Sequence, residues 1–259
     1  MQNEDEIEVL KSLPRGVALA WGLVKEPQRG PKRELTIDQI VEKAVAIADN
    51  EGLAAVSMSK VAASLGFTAM SLYRYVESKD DLLLLMQEAV CKSAVQMNGD
   101  ITDWREGIRQ YVRGCIKVFV EHPWYGEVPI AGVPVTPNNL LYVDLALRPM
   151  RGFPLNDYEK MSMVLLISSY ARSVGMVQRD MVRAIKGGAT PGAFSGQNYS
   201  KALKLLVKAE DYPDLQPIVA SGVYTEENPA DNPIGDDFDF GLERIMDGIE
   251  YYLASKAQK

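Results

Sequence analysis

Histidine and cysteine are nearly absent from this sequence: His122, Cys91 and Cys115 are the only ones in 259 residues. A single histidine leaves no His/carboxylate cluster for a metal and no Ser–His–Asp set on a G-x-S-x-G turn, and no glycine loop follows a strand to cradle phosphate. The stretch Gly187-Gly188-Ala189-Thr190-Pro191-Gly192 lies between helical segments, where a flexible loop is a sufficient account. An enzyme is therefore not expected, nor a metal or a cofactor. The cysteines sit in separate apolar stretches without a CxxC partner, which reads as core packing. His122 stands before Pro123 at a helix end and reads as structural punctuation.

Long hydrophobic runs are missing as well, none approaching the ~18 residues of a membrane span. The start is acidic (Glu4, Asp5, Glu6, Glu8) where a signal peptide would be basic, so a cytoplasmic location is expected. Positive charge is in short supply: 28 Lys and Arg against 35 Asp and Glu give a net charge of −7. That excludes a protein that coats nucleic acid indiscriminately, and any DNA-binding surface has to be local. Residues 29–79 hold seven basic side chains against six acidic ones, while residues 80–259 hold 18 against 24, consistent with a DNA-facing head on an acidic body. Period-two alternation is absent too, and at 47% apolar and 24% charged residues the chain is a globular all-α protein rather than a disordered one.

What is present is helical periodicity with clear punctuation. After a short apolar segment, Leu13 to Val24, the run Glu26-Pro27-Gln28-Arg29-Gly30-Pro31-Lys32-Arg33 cannot be helical and reads as a linker. Its Arg29, Lys32 and Arg33 make it either a plain tether or an arm that adds phosphate or minor-groove contacts. Thr36 then caps a helix of about four turns that stops at Asn50-Glu51-Gly52. Ser57 caps a short second helix ending at Gly66, and Thr68 or Ala69 starts a third segment, Met70 to Val76. Two short helices joined by so tight a turn make a helix-turn-helix. Ser78 caps a fourth helix from about Lys79 to Met97, whose Leu82-Leu83-Leu84-Leu85-Met86 run predicts burial from both sides.

A recognition helix must offer small or polar side chains to base edges at its first turn, with flanking groups on phosphates to set its register. Thr68, Ala69, Met70 and Ser71 fit the first role, and Tyr73, Tyr75 and Lys79 the second, leaving Leu72 and Val76 for the buried face. The other reading, two short helices of an ordinary bundle, is weakened by the polarity of Thr68, Ser71, Arg74 and Lys79.

The run from Gly52 to Phe67 (GLAAVSMSKVAASLGF) followed by Ser71 to Leu82 (SLYRYVESKDDL) resembles the amino-terminal domain of the tetracycline-repressor (TetR/AcrR-like) family over about fifty residues. The resemblance implies that Ser57 approaches the DNA backbone, that Ala69, Met70 and Ser71 face bases, and that Tyr73, Tyr75 and Lys79 hold phosphates. Ser59 and Phe67 depart from the family, standing where many relatives carry a basic and a smaller aliphatic residue. A bidentate guanine contact from the second helix is therefore not available.

Beyond Asn98, helical segments are predicted near Trp104–His122, Asn138–Met150, Leu155–Lys186, Tyr199–Glu210 and Phe238–Ser255, a bundle able to enclose a cavity. The expected organisation is an extension over 1–33, a DNA-binding head over 34–80 and an effector-binding, dimerising body over 81–259. The family resemblance implies homodimers made through the last long helices, and a small-molecule effector that releases a repressor from operator DNA. Trp104, Tyr111, Phe119, Trp124, Tyr125, Met163, Tyr170 and Met176 are the residues that could line an effector pocket. The competing reading is a helical adaptor that binds another protein and needs no effector.

Overall fold

The computed structural model describes residues 8–24, 35–94, 103–130, 132–188, 197–225, 233–234 and 236–257, and among these no strand occurs. Arg29, Lys32 and Arg33 lie outside the described residues. The helices are α1 (Arg15–Ala20), α2 (Ile37–Glu51), α3 (Met58–Leu65), α4 (Ala69–Tyr73), α5 (Lys79–Ala94), α6 (Trp104–Glu121), α7 (Pro137–Leu147), α8 (Asp157–Lys186), α9 (Gln197–Leu206), α10 (Gln216–Ser221) and α11 (Asp237–Ala257). Tight 3-10 turns stand at Leu53–Ala55, Pro123–Glu127, Arg148–Met150 and Val223–Thr225.

The punctuation of the first helices is written locally. Thr36 accepts a hydrogen bond from the Gln39 N–H while the Gln39 side chain accepts from the Thr36 N–H, a reciprocal box that satisfies two helix-start donors. Ser57 caps α3 through the Lys60 N–H, and α3 stops at Gly66, whose φ of 80° takes the left-handed conformation that side chains with a Cβ avoid. The third helix is shorter than its sequence pattern. α4 ends at Tyr73, because the Tyr75 and Val76 N–H groups turn back onto the Leu72 carbonyl and carry Val76 into the core.

Two compact units divide the chain: residues 1–179 with 249–259, and residues 180–248. In the first, the inward faces of α2, α3 and α4 (Ile40, Val41, Val61, Leu72) meet Leu82, Leu85 and Met86 of α5, while Leu83 and Leu84 are half-buried. The same apolar cluster continues without a break to Val118 of α6 and to Trp124 and Val128 beyond it. The segment read as merely apolar before the linker is α1, which docks on α5 through a 2.7 Å hydrogen bond from the Gly16 N–H to Asp81 Oδ1. In the second unit α9 packs on α10, a helix the sequence reading did not anticipate, and Val219 and Ser200 are buried there.

Within the first unit α6 and α8 cross closely at Gly175. A Cβ at that position would stand 2.7 Å from Phe119 Cδ2 and 3.0 Å from Phe119 Cβ. Gly175→Ala is therefore expected to lower stability by about 1–3 kcal/mol, since a packed core resists an added methyl. A denaturant midpoint equal to that of the wild type would contradict it.

The start of α8 and the end of α11 are tied by charge. Glu159 accepts hydrogen bonds from Lys256 Nζ and the Tyr252 hydroxyl, and pairs reciprocally with Asn156. Lys256 first, then the Tyr252 hydroxyl and the Asn156 N–H, hold the Glu159 carboxyl down at about 2. A depressed folded pKa adds stability above the ordinary carboxyl value of 4.5, and the contribution is lost as pH falls through about 2. The melting temperature of Glu159→Gln should thus lie below that of the wild type at neutral pH and converge with it towards pH 2. A difference that stays constant from pH 7 to pH 2 would refute this.

Candidate nucleic-acid interface and its link to the body

The first turn of α4 presents itself to solvent. Met70 is 76% exposed, an unusual position for a large apolar side chain, and Thr68 is exposed beside it. Thr68 Oγ1 accepts from the Ser71 N–H at 3.3 Å and lies 3.0 Å from Ser71 Oγ, so these two hydroxyls are preset against each other. Ala69 and Ser71 are half-buried at the same end. Tyr73 is 45% exposed, whereas Tyr75 is half-buried against the head core.

Two further helix starts flank α4. Ser57, exposed, already accepts one hydrogen bond as the cap of α3, and its O–H is left to donate. At the start of α5, Ser78 Oγ accepts from the Asp81 N–H at 3.0 Å and donates to Asp81 Oδ2 at 2.7 Å. The first residue of that helix, Lys79, is exposed. An ammonium and unpaired N–H groups at a helix start are the elements that bind an anion. Lys60, by contrast, is paired with Glu51.

The body holds a polar interior. Glu88 of α5 is buried, and its carboxylate accepts from the Asn138 N–H at 2.7 Å and the Asn139 N–H at 3.3 Å, capping α7 from another helix. Deeper, the Tyr111 hydroxyl of α6 lies 2.9 Å from Ser168 Oγ of α8. The Tyr125 hydroxyl donates to Asn139 Oδ1 at 3.3 Å, and Cys91 lies 3.5 Å from the same hydroxyl. Burial pushes the thiol of Cys91 up to about 11 and that of Cys115 up to about 12, so both are neutral and inert as nucleophiles.

One connection runs from this interior to the head. Trp124, wholly buried, donates from Nε1 to Asp49 Oδ1 of α2 at 2.7 Å, and His122 Nδ1 lies 2.9 Å from the same oxygen. Asp49 stands in the last turn of α2, where a carboxylate meets the negative end of the helix dipole. Two N–H donors from the body offset that repulsion. Tyr125, next in the chain, stacks edge-on with Trp124 at 6.2 Å and with Phe119 at 5.4 Å.

Two family descriptions match this chain: "Bacterial regulatory proteins, tetR family" over residues 40–86 and "Tetracyclin repressor-like, C-terminal domain" over residues 98–253. The transcriptional repressor DrrR1 of Streptomyces coeruleorubidus is 34% identical over 254 residues, covering 94% of this chain and 88% of that protein. The chain belongs to the TetR family. Among solved structures, apo ActR of Streptomyces coelicolor superimposes with a TM-score of 0.68 at 26% identity, covering 88% of this chain and 99% of its own. ActR in complex with actinorhodin superimposes with a TM-score of 0.66 at 26% identity, covering 88% and 100%. The relatives are named as transcriptional regulators, and the helix-turn-helix of this TetR-family chain is α3 and α4.

Of the pocket residues expected for this TetR-family body, Phe119 and Tyr125 meet edge-on, and Tyr111, on the same helix as Phe119, meets Tyr142. Trp104 stacks edge-on with Phe153 at 5.4 Å at the other end of α6, and Trp124 faces the head. Met163, Tyr170 and Met176 are half-buried along α8. Cys91 was read from the sequence as core packing only, and Asn139, Tyr142 and Ser168 were not singled out, since nothing local distinguishes an inward polar residue from a solvated one. Among the described residues no helix is long and apolar enough to cross a membrane, and no group of three His, Cys, Asp or Glu side chains could hold a metal ion.

Proposed function

We propose that this TetR-family chain is a dimeric repressor, not an enzyme, that binds operator DNA in the cytoplasm and is released by a small-molecule effector. The observation that carries the release step is the Trp124–Asp49 bond, which joins the interior around Tyr125 to the first helix of the head. A molecule that displaces Tyr125 moves its neighbour Trp124 and with it the anchor of α2. It can act only by binding the released arrangement more tightly than the DNA-bound one. That ActR has been solved with actinorhodin supports a small-molecule effector.

The head corresponds to residues 34–80 and the effector-binding, dimerising body to 81–259. In the head, Thr68, Ala69, Met70 and Ser71 read bases, and Ser57, Tyr73, Tyr75 and Lys79 grip phosphates. One five-residue helix reads little sequence, so two half-sites ~34–36 Å apart are needed for specificity. An exposed apolar face supports the dimer: Tyr158 (88%), Leu165 (68%) and Leu166 on α8, with Tyr251 (79%) on the end of α11. Leu165→Glu should produce a monomer in sedimentation that binds a full operator at least about tenfold more weakly, because a charge cannot be buried unpaired. A dimer of unchanged stability would count against that face.

The function itself is tested with DNA from upstream of the coding region in a fluorescence-anisotropy titration. A salt-sensitive complex that survives excess unrelated DNA is expected. Its absence would favour a protein-binding adaptor instead.

A further inference from the structure

The turn that leads into α5 carries the wrong charge for a phosphate. Between Arg74 and Asp81 stand two cations, Arg74 and Lys79, and three carboxylates, Glu77, Asp80 and Asp81, so the stretch that offers Lys79 is itself net negative. α1 meets two of those three carboxylates. Arg15 Nε lies 3.1 Å from Glu77 Oε1, and the Gly16 N–H donates to Asp81 Oδ1 at 2.7 Å. The Arg15 pair is solvated and adds little to stability, so what it changes is the local charge. The other oxygen of Asp81 accepts from the Ser78 hydroxyl, whose oxygen accepts in turn from the Asp81 N–H. The contact at Gly16 therefore bears on the residues that flank Lys79.

The approach is close because residue 16 has no side chain. A Cβ there would stand 2.7 Å from Asp81 Oδ1 and 3.1 Å from Asp81 Cα, a main-chain atom that cannot turn away as a carboxylate can. Helix propensity by itself favours alanine over glycine, so the glycine in α1 serves this contact and not the helix. At its other end α1 is fastened to the body, where Trp21 Nε1 donates to the Val135 carbonyl at 2.9 Å. Between the two ends Val17 and Ala18 are buried, and Leu19 and Ala20 pack on the head core. α1 thus spans from the turn after the helix-turn-helix to the segment before α7.

We propose that α1 belongs to the DNA-binding apparatus. Arg15 and Gly16 are positioning residues that neutralise and fix the turn from Glu77 to Asp81 so that Lys79 faces a phosphate, and Trp21 anchors that arrangement on the body. The proposal rests on the reading of Lys79 as a phosphate-gripping residue. It requires no contact between α1 and DNA.

Gly16→Ala tests it in the full-length protein without changing any charge, so an altered salt dependence reports geometry. It should weaken operator and unrelated DNA alike and lower the slope of log affinity against log salt by about one, roughly a three- to tenfold loss at physiological salt. Added to Lys79→Ala it should change neither affinity nor slope, because the residue it positions is gone. Trp21→Phe alters a side chain that is 47% exposed, and should act in the same direction with a smaller loss and the same dependence on Lys79. Should Gly16→Ala fail to fold, Trp21→Phe carries the same comparison. Equal losses in the wild-type and Lys79→Ala backgrounds would make α1 a merely structural element and overturn the proposal, as would wild-type affinity and slope in both single variants. If Lys79→Ala itself left DNA binding untouched, the phosphate reading would fall and the proposal with it.

Discussion

Trp124→Ala should lower the stability of the protein by about 3–5 kcal/mol, the range for emptying a large aromatic site in a packed core. Trp124 is wholly buried, lies in the apolar cluster that runs from the head into the body, and stacks with both His122 and Tyr125. A typical domain is stable by only about 5–15 kcal/mol, so the variant should fold marginally and melt many degrees lower. Trp124→Phe isolates the hydrogen bond from the volume. It fills most of the site but leaves Asp49 with His122 as its remaining donor from the body, at a cost of about 1–3 kcal/mol. The two variants also differ in what they do to regulation. The phenylalanine protein should still bind DNA but respond less to effector, because one of the two hydrogen bonds from the body to Asp49 is lost. Chemical denaturation measures the first effect and effector titration of the operator complex the second. If Trp124→Ala lost less than about 1 kcal/mol, the site would not be the packed junction described here.

The second large effect separates Lys79 from Met70. Lys79, exposed at the first position of α5, faces phosphate in this reading, so Lys79→Ala should weaken operator and unrelated DNA alike. Each phosphate contact contributes about 0.9 to the slope of log affinity against log salt, and a dimer loses two, so the slope should fall by about two. At physiological salt that corresponds to roughly a twentyfold to thirtyfold loss, obtained from the same slope. Met70, three-quarters exposed, offers an apolar surface suited to a thymine methyl. Met70→Ala should leave the salt slope unchanged and relax the preference at one base pair per half-site by on the order of 1 kcal/mol. Affinity measured across a salt series on single-base operator variants distinguishes them. The opposite pattern, a salt effect at Met70 and a sequence effect at Lys79, would reverse the assignment of roles.

The helix-turn-helix is legible in the sequence because its punctuation is local. Thr36, Ser57, Thr68 and Ser78 each bond a backbone or side-chain group three residues away, and Gly66 supplies the left-handed turn. Such bonds depend on residue type and spacing alone. The layout of the long body helices was legible for a similar reason, since periodicity and Gly/Pro breaks mark them. Boundaries slipped where a tertiary demand won: α4 closes early because Val76 has to reach the core, and the Pro123 break is itself a 3-10 turn that carries Trp124.

What the chain alone determined, then, is the class of protein, all-helical with a capped helix-turn-helix head; of the head residues expected to touch DNA, Thr68, Met70, Tyr73 and Lys79 are exposed, whereas Ala69, Ser71 and Tyr75 are half-buried. Only the tertiary structure decided what faces what. Nothing in the sequence sets Asp49 against Trp124, 75 positions away, or Asp81 against the Gly16 N–H, 65 positions away. Tyr142 is one more tyrosine in the sequence, and only packing reveals an enclosed hydroxyl with no partner among the described residues. Caps and periods are set within a few residues, whereas the partners of a buried polar group are chosen by the folding of distant segments onto one another.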